Sequence, residues 1–387
     1  MNEKIVFLMS HPRHARMWRR AKRVQPHFQQ SQVLAFDREI STPAKHGDYV
    51  SLGNIANRNY LSRLGSLFKA FRIIRASVKS ASAVYCFSLD LLLLAWVACL
   101  TSRARPKFAY EVADIRDALV GKGVASAALR FLERFLIRRV AVVAFTSRHF
   151  YEGYFREVQR FDSFPHVVIE HKPELPRQIR DSIERPAGLP RPITVGYFGL
   201  MKSVASFELL VELAKRSQGA VRVLFRGMFV PPLDEAQCLK TIDEYAELSY
   251  GGPYKSPADL PNMYPQVDIV WDAYNETENS RWQRTTRFSE SLFFKKPLIV
   301  NIGTQDERIA RQYNLGLTVD ISDPESVVEA LLGIREEDYL EWCESFDRLP
   351  DSMLYYGDEY SSLVKALKPE GSGLQGSFAV SHAPSHS

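Results

Sequence analysis

Residues 184–203 read Glu184-Arg-Pro-Ala-Gly-Leu-Pro-Arg-Pro-Ile-Thr-Val-Gly-Tyr-Phe-Gly-Leu-Met-Lys-Ser203. Three prolines and a glycine within 184–192 make a poor helix or strand and a good linker. An apolar run follows at once, Ile193–Phe198, and ends at Gly199. That is a strand opening a second rhythm of strands and helices after the first has closed.

Upstream, Ile5–Met9 reads as a strand, Arg16–Val24 as a helix and Gln32–Phe36 as a strand. Val84–Phe87 is a strand followed by an apolar helix to Cys99. Phe108–Val112 and Ala141–Phe145 are strands with a helical stretch between them. Downstream come a helix over Phe207–Lys215, strands at Val221–Phe225, Ile269–Ala273 and Pro297–Asn301, and a helix at Val327–Leu332. Strands alternating with helices predict parallel sheets covered by helices. The expectation is an α/β protein with two Rossmann-like domains whose parallel sheets face each other across a cleft. The first domain takes 1–185, a linker 186–192, and the second domain 193–350. A C-terminal helix within 351–367 packs back toward the first domain, before a Ser/His/Pro-rich tail over 368–387. Ligands of such sheets bind outside the carboxyl ends of the strands, so the cleft is the expected site.

The chain of 387 residues carries a formal charge of +5. That figure hides an asymmetry. Residues 1–190 hold 31 Lys and Arg against 16 Asp and Glu, and the remainder holds 19 against 29. A basic half suits anionic lipid, nucleic acid or a phosphorylated acceptor, or is simply a soluble surface. Two helices carry it: Leu64, Leu67, Phe71, Ile74 and Val78 beside Arg72, Arg75 and Lys79, and Arg130, Arg134 and Arg138 beside Leu129, Leu132 and Leu136. Such helices either lie on anionic lipid or cover the sheet with solvated faces. No nucleic-acid motif accompanies the arginines, and stacking aromatics are not interleaved with them, so no nucleic acid is expected. The four cysteines lack metal spacing and read as reduced packing residues. No secretory signal is visible, and the most apolar stretch, Leu91–Leu100, is half the length of a spanning helix.

At the end of the Ile193–Phe198 strand, Gly199 lets a ligand approach the backbone, and Lys202 would place a charge beside a phosphate at a helix N-terminus. The alternative is a solvated lysine in an ordinary turn. Arg287 and Glu290 share a helix face, a cation for a diphosphate and a carboxylate for ribose hydroxyls, or else a surface ion pair. Arg226, with Gly227 after the strand Val221–Phe225, reaches the cleft or sits on a surface turn.

The stretch TTRFSESLFFKKPLIV at 285–300 resembles the P-x-K-x-x-E-x-x-x-x-x-K-P-x-I segment of family 4-like GT-B glycosyltransferases of bacterial capsule and exopolysaccharide synthesis. GPYKSPADLPNMYPQVDIVWDAYN before it and NIGTQDERIARQYNLGLTVD after it fall in the family's order. The likeness spans most of 80–335. It implies that Arg287 and Glu290 bind the sugar nucleotide, that Gly199 and Lys202 form the diphosphate loop, and that Gly252 and Tyr254 lie near the base. Two departures stand out. The family's E-x7-E would need an acid where Trp282 stands, and Phe293, Phe294 and Lys295 replace its small residue and glycine.

The segment Phe108–Asp117 matches the family's YE-x-x-D. Asp114 sits where a strand ends, as general base toward an acceptor hydroxyl, as an acceptor contact, or as a loop cap. Asp117 and Glu111 are weaker candidates, Glu111 as a paired core residue. His11–Arg20 resembles the family's first loop, with Arg13 and Arg16 facing a phosphate of donor or acceptor. His14 is either a proton carrier or a solvated histidine. Asp90 reads as a helix cap or acceptor contact, and Ser147 as a helix cap.

The resemblance implies a transferase moving a hexose-type sugar from a UDP- or GDP-linked donor to a lipid-linked or oligosaccharide acceptor. It needs no metal and no cofactor beyond the donor substrate. Its place would be the cytoplasm, peripheral on the anionic inner face of the membrane through the basic first domain. A sugar-nucleotide epimerase of the same fold and a catalytically silent scaffold subunit remain alternatives.

Overall fold

The computed structural model of the chain describes residues 3–12, 14–37, 47–54, 60–274 and 279–368. Two all-parallel sheets form. The first has seven strands: β1 (Lys4–Met9), β2 (Gln30–Asp37), β3 (Val50–Asn54), β4 (Ala83–Cys86), β5 (Lys107–Val112), β6 (Val142–Phe145) and β7 (His166–Val168), in the order β3-β2-β1-β4-β5-β6-β7. The second has six: β8 (Ile193–Met201), β9 (Val221–Phe229), β10 (Leu248–Tyr250), β11 (Ile269–Asp272), β12 (Leu298–Asn301) and β13 (Gly316–Val319), in the order β10-β9-β8-β11-β12-β13. In each sheet the order reverses beside the first strand of the domain, which opens a crevice there.

Side-chain alternation explains why these runs are apolar throughout. On β1, Val6 and Leu8 enter one core while Ile5, Phe7 and Met9 enter the other. On β11, Ile269 and Trp271 face one layer and Val270 the opposite one. A strand buried on both faces has no polar face to show. The first sheet is covered on one side by the helices Tyr60–Lys79, Leu89–Ser102 and Val124–Ile137. The other side takes Ala15–Val24 and the last helix, Glu359–Leu367, whose Tyr360, Leu363, Val364 and Leu367 are buried. The chain thus returns to its first sheet after completing the second.

Two strands run further than the sequence reading had them. β8 continues past Gly199 to Met201, and Arg226–Gly227 lie inside β9 rather than after it. The pairing carries on through Gly199↔Gly227 to Met201↔Phe229. Both glycines have positive φ, and a Cβ on Gly227 would come within 2.0 Å of the Gly199 carbonyl oxygen. A glycine pair is therefore what lets the two strands stay joined here.

The basic helices also differ from expectation. Ile74 and Val78 are buried, but several arginines are consumed by backbone carbonyls. Arg130 donates to Leu119 and Gly121, Arg134 to Gln159, and Arg75 to Thr101. These carbonyls lie at the C-terminal ends of helices, where no further turn supplies a donor, and the long side chains satisfy them. Asp90 is not the cap of its helix. Ser88 holds that position, and Asp90 pairs with Arg116 at 3.4 Å.

Candidate functional site

β11 ends in Asp272, fully buried, and the helix Thr286–Phe294 begins beside it. Thr285 caps that helix by accepting the Phe288 N–H at 3.0 Å, and its hydroxyl lies 2.8 Å from both Asp272 oxygens. Arg287, in the first turn, donates Nε to Asp272 at 3.1 Å and Nη1 to the Phe198 carbonyl at 2.6 Å. Its guanidinium lies over the Tyr197 ring at 4.9 Å. Burial opposes the charge on Arg287, but Asp272 more than offsets it and the pKa rises. Arg287 is thus fixed under the carboxyl end of β8, one residue before Gly199. Lys202 is exposed at the same end and has no hydrogen bond or ion pair among the described residues.

Asp272 has a buried neighbour, Asp306, which accepts from Tyr274 Oη at 3.0 Å and from the Thr285 N–H at 3.1 Å. Burial and then the charge of Asp272 push Asp306 well above the usual carboxylate range, and burial also raises Asp272, though its pairing with Arg287 works against that.

Glu290 does not meet Arg287. It is fully buried, accepting from Ser256 Oγ at 3.1 Å and Tyr264 Oη at 3.0 Å, with His171 Nε2 at 3.7 Å. This corrects the alternative of a surface ion pair: Arg287 found a nearer carboxylate at the end of β11. Tyr254 sits beside this cluster, its hydroxyl 3.7 Å from where a Cβ on Gly199 would be, and burial followed by Glu290 raises its phenol pKa. Arg226 donates to the Gly252 carbonyl at 3.2 Å and packs where a Cβ on Gly251 would be. Gly199, Arg226, Tyr254, Arg287 and Glu290 thus gather around one strand edge. The departures at Phe293, Phe294 and Lys295 are matters of packing. Phe294 stacks on Tyr264 at 4.6 Å, and Lys295 takes the left-handed cap position and pairs with Asp347.

Across from it, β5 of the first sheet carries Glu111, wholly buried and gripped by three donors. Arg16 and Arg20 pair with it, and Tyr85 donates at 2.7 Å. Burial would raise its pKa, but the two arginines more than offset that and lower it. Arg16 therefore serves the core carboxylate first. His14 is not solvated. Burial, Arg16 and His11 bring its pKa down to about 3, which keeps it neutral. Arg13 lies outside the described residues. Asp114 is exposed just past β5 and accepts from Asn279 Nδ2 at 3.1 Å.

Several residues here were not singled out from sequence. Asp272 had a visible signal, a lone acid closing the apolar run Ile269–Trp271. His171 and Arg19 had none. Arg19, half-buried on the Ala15–Val24 helix, makes no hydrogen bond or ion pair among the described residues, and its charge helps depress the pKa of His171. The segment 279–284 reaches into the first domain: Asn279 bonds to Asp114, Arg284 to Glu170 at 2.6 Å, and Trp282 packs on Tyr154. Trp282 is buried within the first domain's core, where a Cβ on Gly153 would strike its Nε1. Among the described residues, no group of three or more His, Cys, Asp or Glu side chains is placed to hold a metal ion.

No family model matches the chain. The succinoglycan biosynthesis protein ExoL of Rhizobium meliloti (strain 1021) is 24% identical over 332 residues, covering 82% of this chain and 81% of the relative. Among solved structures, HepE of Anabaena in complex with UDP and glucose superposes with a TM-score of 0.64 at 12% identity, over 94% of this chain and 97% of that one. Sucrose-phosphate synthase of Thermosynechococcus elongatus gives 0.62 at 12% identity, over 94% of each chain. With two parallel, helix-covered sheets, the chain has the GT-B fold and is similar in sequence to a protein of bacterial exopolysaccharide synthesis.

Proposed function

We propose that this protein is a glycosyltransferase of exopolysaccharide synthesis, taking a hexose from a nucleoside diphosphate, UDP in the first instance, and passing it to a glycan acceptor. The observation that carries the reading lies near the carboxyl ends of the second sheet's central strands. Arg287 is clamped by Asp272 and the Phe198 carbonyl, Gly199 leaves the backbone open, and the exposed, unpaired Lys202 follows the end of the same strand. A preorganised arginine and a free lysine at a glycine-lined strand end suit a diphosphate that gains charge as it departs. The likeness to ExoL supports the pathway, and the UDP and glucose of the HepE complex support the donor class.

In this reading the second domain holds the donor and the first the acceptor. Asp114 takes the proton of an acceptor hydroxyl. The freed oxygen bonds to the anomeric carbon, and the bond from that carbon to the diphosphate breaks, leaving its electron pair on the phosphate. Glu290, buried and tied to Ser256 and Tyr264, supports the nucleotide side from beneath, with Tyr254 next to it.

The acceptor is lipid-linked and met at an anionic membrane surface. Phe68, Leu100, Val124 and Phe131 are exposed on helices covering one face of the first sheet, beside the exposed Lys69, Arg72, Lys79, Arg103 and Lys122. Apolar tips ringed by cations suit an anionic bilayer interface. No helix among the described residues is long and apolar enough to cross a membrane.

UDP-glucose, UDP-galactose and GDP-mannose are screened by thermal shift, then UDP release is followed with a lipid extract of polysaccharide-producing cells as acceptor. A donor at a hundred times its Kd stabilises the fold by about 2.7 kcal/mol. Asp114→Asn lowers kcat by about 10²- to 10⁴-fold with donor binding intact. Unchanged turnover in that variant removes Asp114 as base, and no response to any sugar nucleotide removes the transferase reading.

A further inference from the structure

Asn279 comes from the second domain's chain, yet it is bound to the first domain's Asp114 loop from both ends of its amide. Its Oδ1 accepts the Ile115 N–H at 2.8 Å, and its Nδ2 donates to Asp114 Oδ1 at 3.1 Å and to Gln283 Oε1. Three residues on, Trp282 is buried in the first domain's core, and Arg284 pairs with Glu170 of that domain. The next residue, Thr285, belongs to the donor edge, holding Asp272, which holds Arg287. Seven consecutive residues therefore run from the proposed base to the proposed diphosphate site, with each end hydrogen-bonded to its carboxylate.

We propose that Asn279 is a positioning residue for Asp114, supplied across the domain gap. The inference rests on the reading of Asp114 as base. The Asp114 side chain is exposed, and an exposed carboxylate samples several rotamers. One amide that holds both the loop backbone and one carboxylate oxygen selects the rotamer that leaves the other oxygen for the acceptor. Because the amide belongs to the domain that binds the donor, the base is aligned only while the domains are docked. The position filled by Trp282, where the resembled family carries an acid, thus serves to seat this strap.

The effect expected of Asn279→Ala is a fall in kcat of about 10- to 100-fold, the scale of a misplaced reacting group. The KM for the UDP-hexose stays unchanged. In an Asp114→Asn background the same change costs nothing further, since Asn279 acts through that carboxylate. Asn279→Asp gives a second arm. It retains the acceptor for the Ile115 N–H, replaces the donor by a repelling carboxylate, and loses at least as much kcat as alanine. The inference is overturned by an Asn279→Ala enzyme with wild-type kcat, by an equal loss in the Asp114→Asn background, or by an Asn279→Asp enzyme with wild-type kcat. An active Asp114→Asn enzyme points instead to failure of the base assignment beneath it.

Discussion

Helix Ala15–Val24 of the first domain and helix Thr286–Phe294 of the second begin in the same way. The second residue of each is an arginine, Arg16 or Arg287, aimed at a buried carboxylate on the sheet, Glu111 or Asp272. What surrounds the carboxylate differs. Glu111 has two arginines and a tyrosine, so the first domain's cluster is rich in cations. Asp272 has one arginine and a second carboxyl group, Asp306, whose pKa burial and Asp272 push upward. The first arrangement is redundant and belongs to the core. The second depends on a single guanidinium, which donates to the Phe198 carbonyl next to Gly199. The same local device thus lies in the core in one domain and beside the proposed donor site in the other.

That difference sets unequal costs. Arg287→Ala strands a buried Asp272 and destabilises by about 3–5 kcal/mol in denaturant unfolding, with loss of UDP binding. Arg16→Ala leaves Glu111 held by Arg20 and Tyr85 and costs nearer 1 kcal/mol. Equal costs for the two variants would break the comparison. Trp282→Ala opens a cavity in the first domain's core from the second domain's chain, at about 3 kcal/mol. Its unfolding curve would resolve into two transitions as the domains uncouple. A single sharp transition at wild-type midpoint would mean that Trp282 does not join them.

The two clusters also respond to pH in opposite directions. His14 is neutral in the fold and charges more readily when unfolded, so it adds stability above its ordinary pKa of 6.5. That stability is lost as the pH falls toward about 3. Asp306 prefers its proton when folded, so its contribution is present below its ordinary pKa of 3.8 and fades as the pH rises through the folded value. The slope from His14 is at most about 1.4 kcal/mol per pH unit. His14→Gln is expected to flatten the loss of stability between pH 7 and pH 5, and Asp306→Asn to flatten the opposite trend. A His14→Gln enzyme with the wild-type slope would place the titration elsewhere.

Most of the sheet framework was legible, because strands buried on both faces leave continuous apolar runs such as Ile5–Met9 and Ile269–Trp271. The short strands Val50–Asn54, His166–Val168, Leu248–Tyr250 and Gly316–Val319 were not picked out. Each has a neighbour on one side at most and little apolar content to mark it. Gly199 and Lys202 stood out through local chemistry. The passage of β8 beyond Gly199 did not, since it needs Gly227, which comes near only once the strands pair. Trp282 read as a missing acid. Its contact with Tyr154 joins residues more than a hundred positions apart, and nothing local encodes that.

In the proposed donor site, a diphosphate lies against Gly199, Lys202 and Arg287 near the carboxyl ends of the second sheet's central strands. Lys202 offers the cleanest test, since it is exposed and unpaired and its loss leaves the fold intact. Calorimetric titration of UDP into the Lys202→Ala protein should show a Kd about tenfold weaker than wild type, at an unchanged melting temperature of the free protein. Identical UDP affinity in the two proteins would mean that Lys202 does not hold the diphosphate.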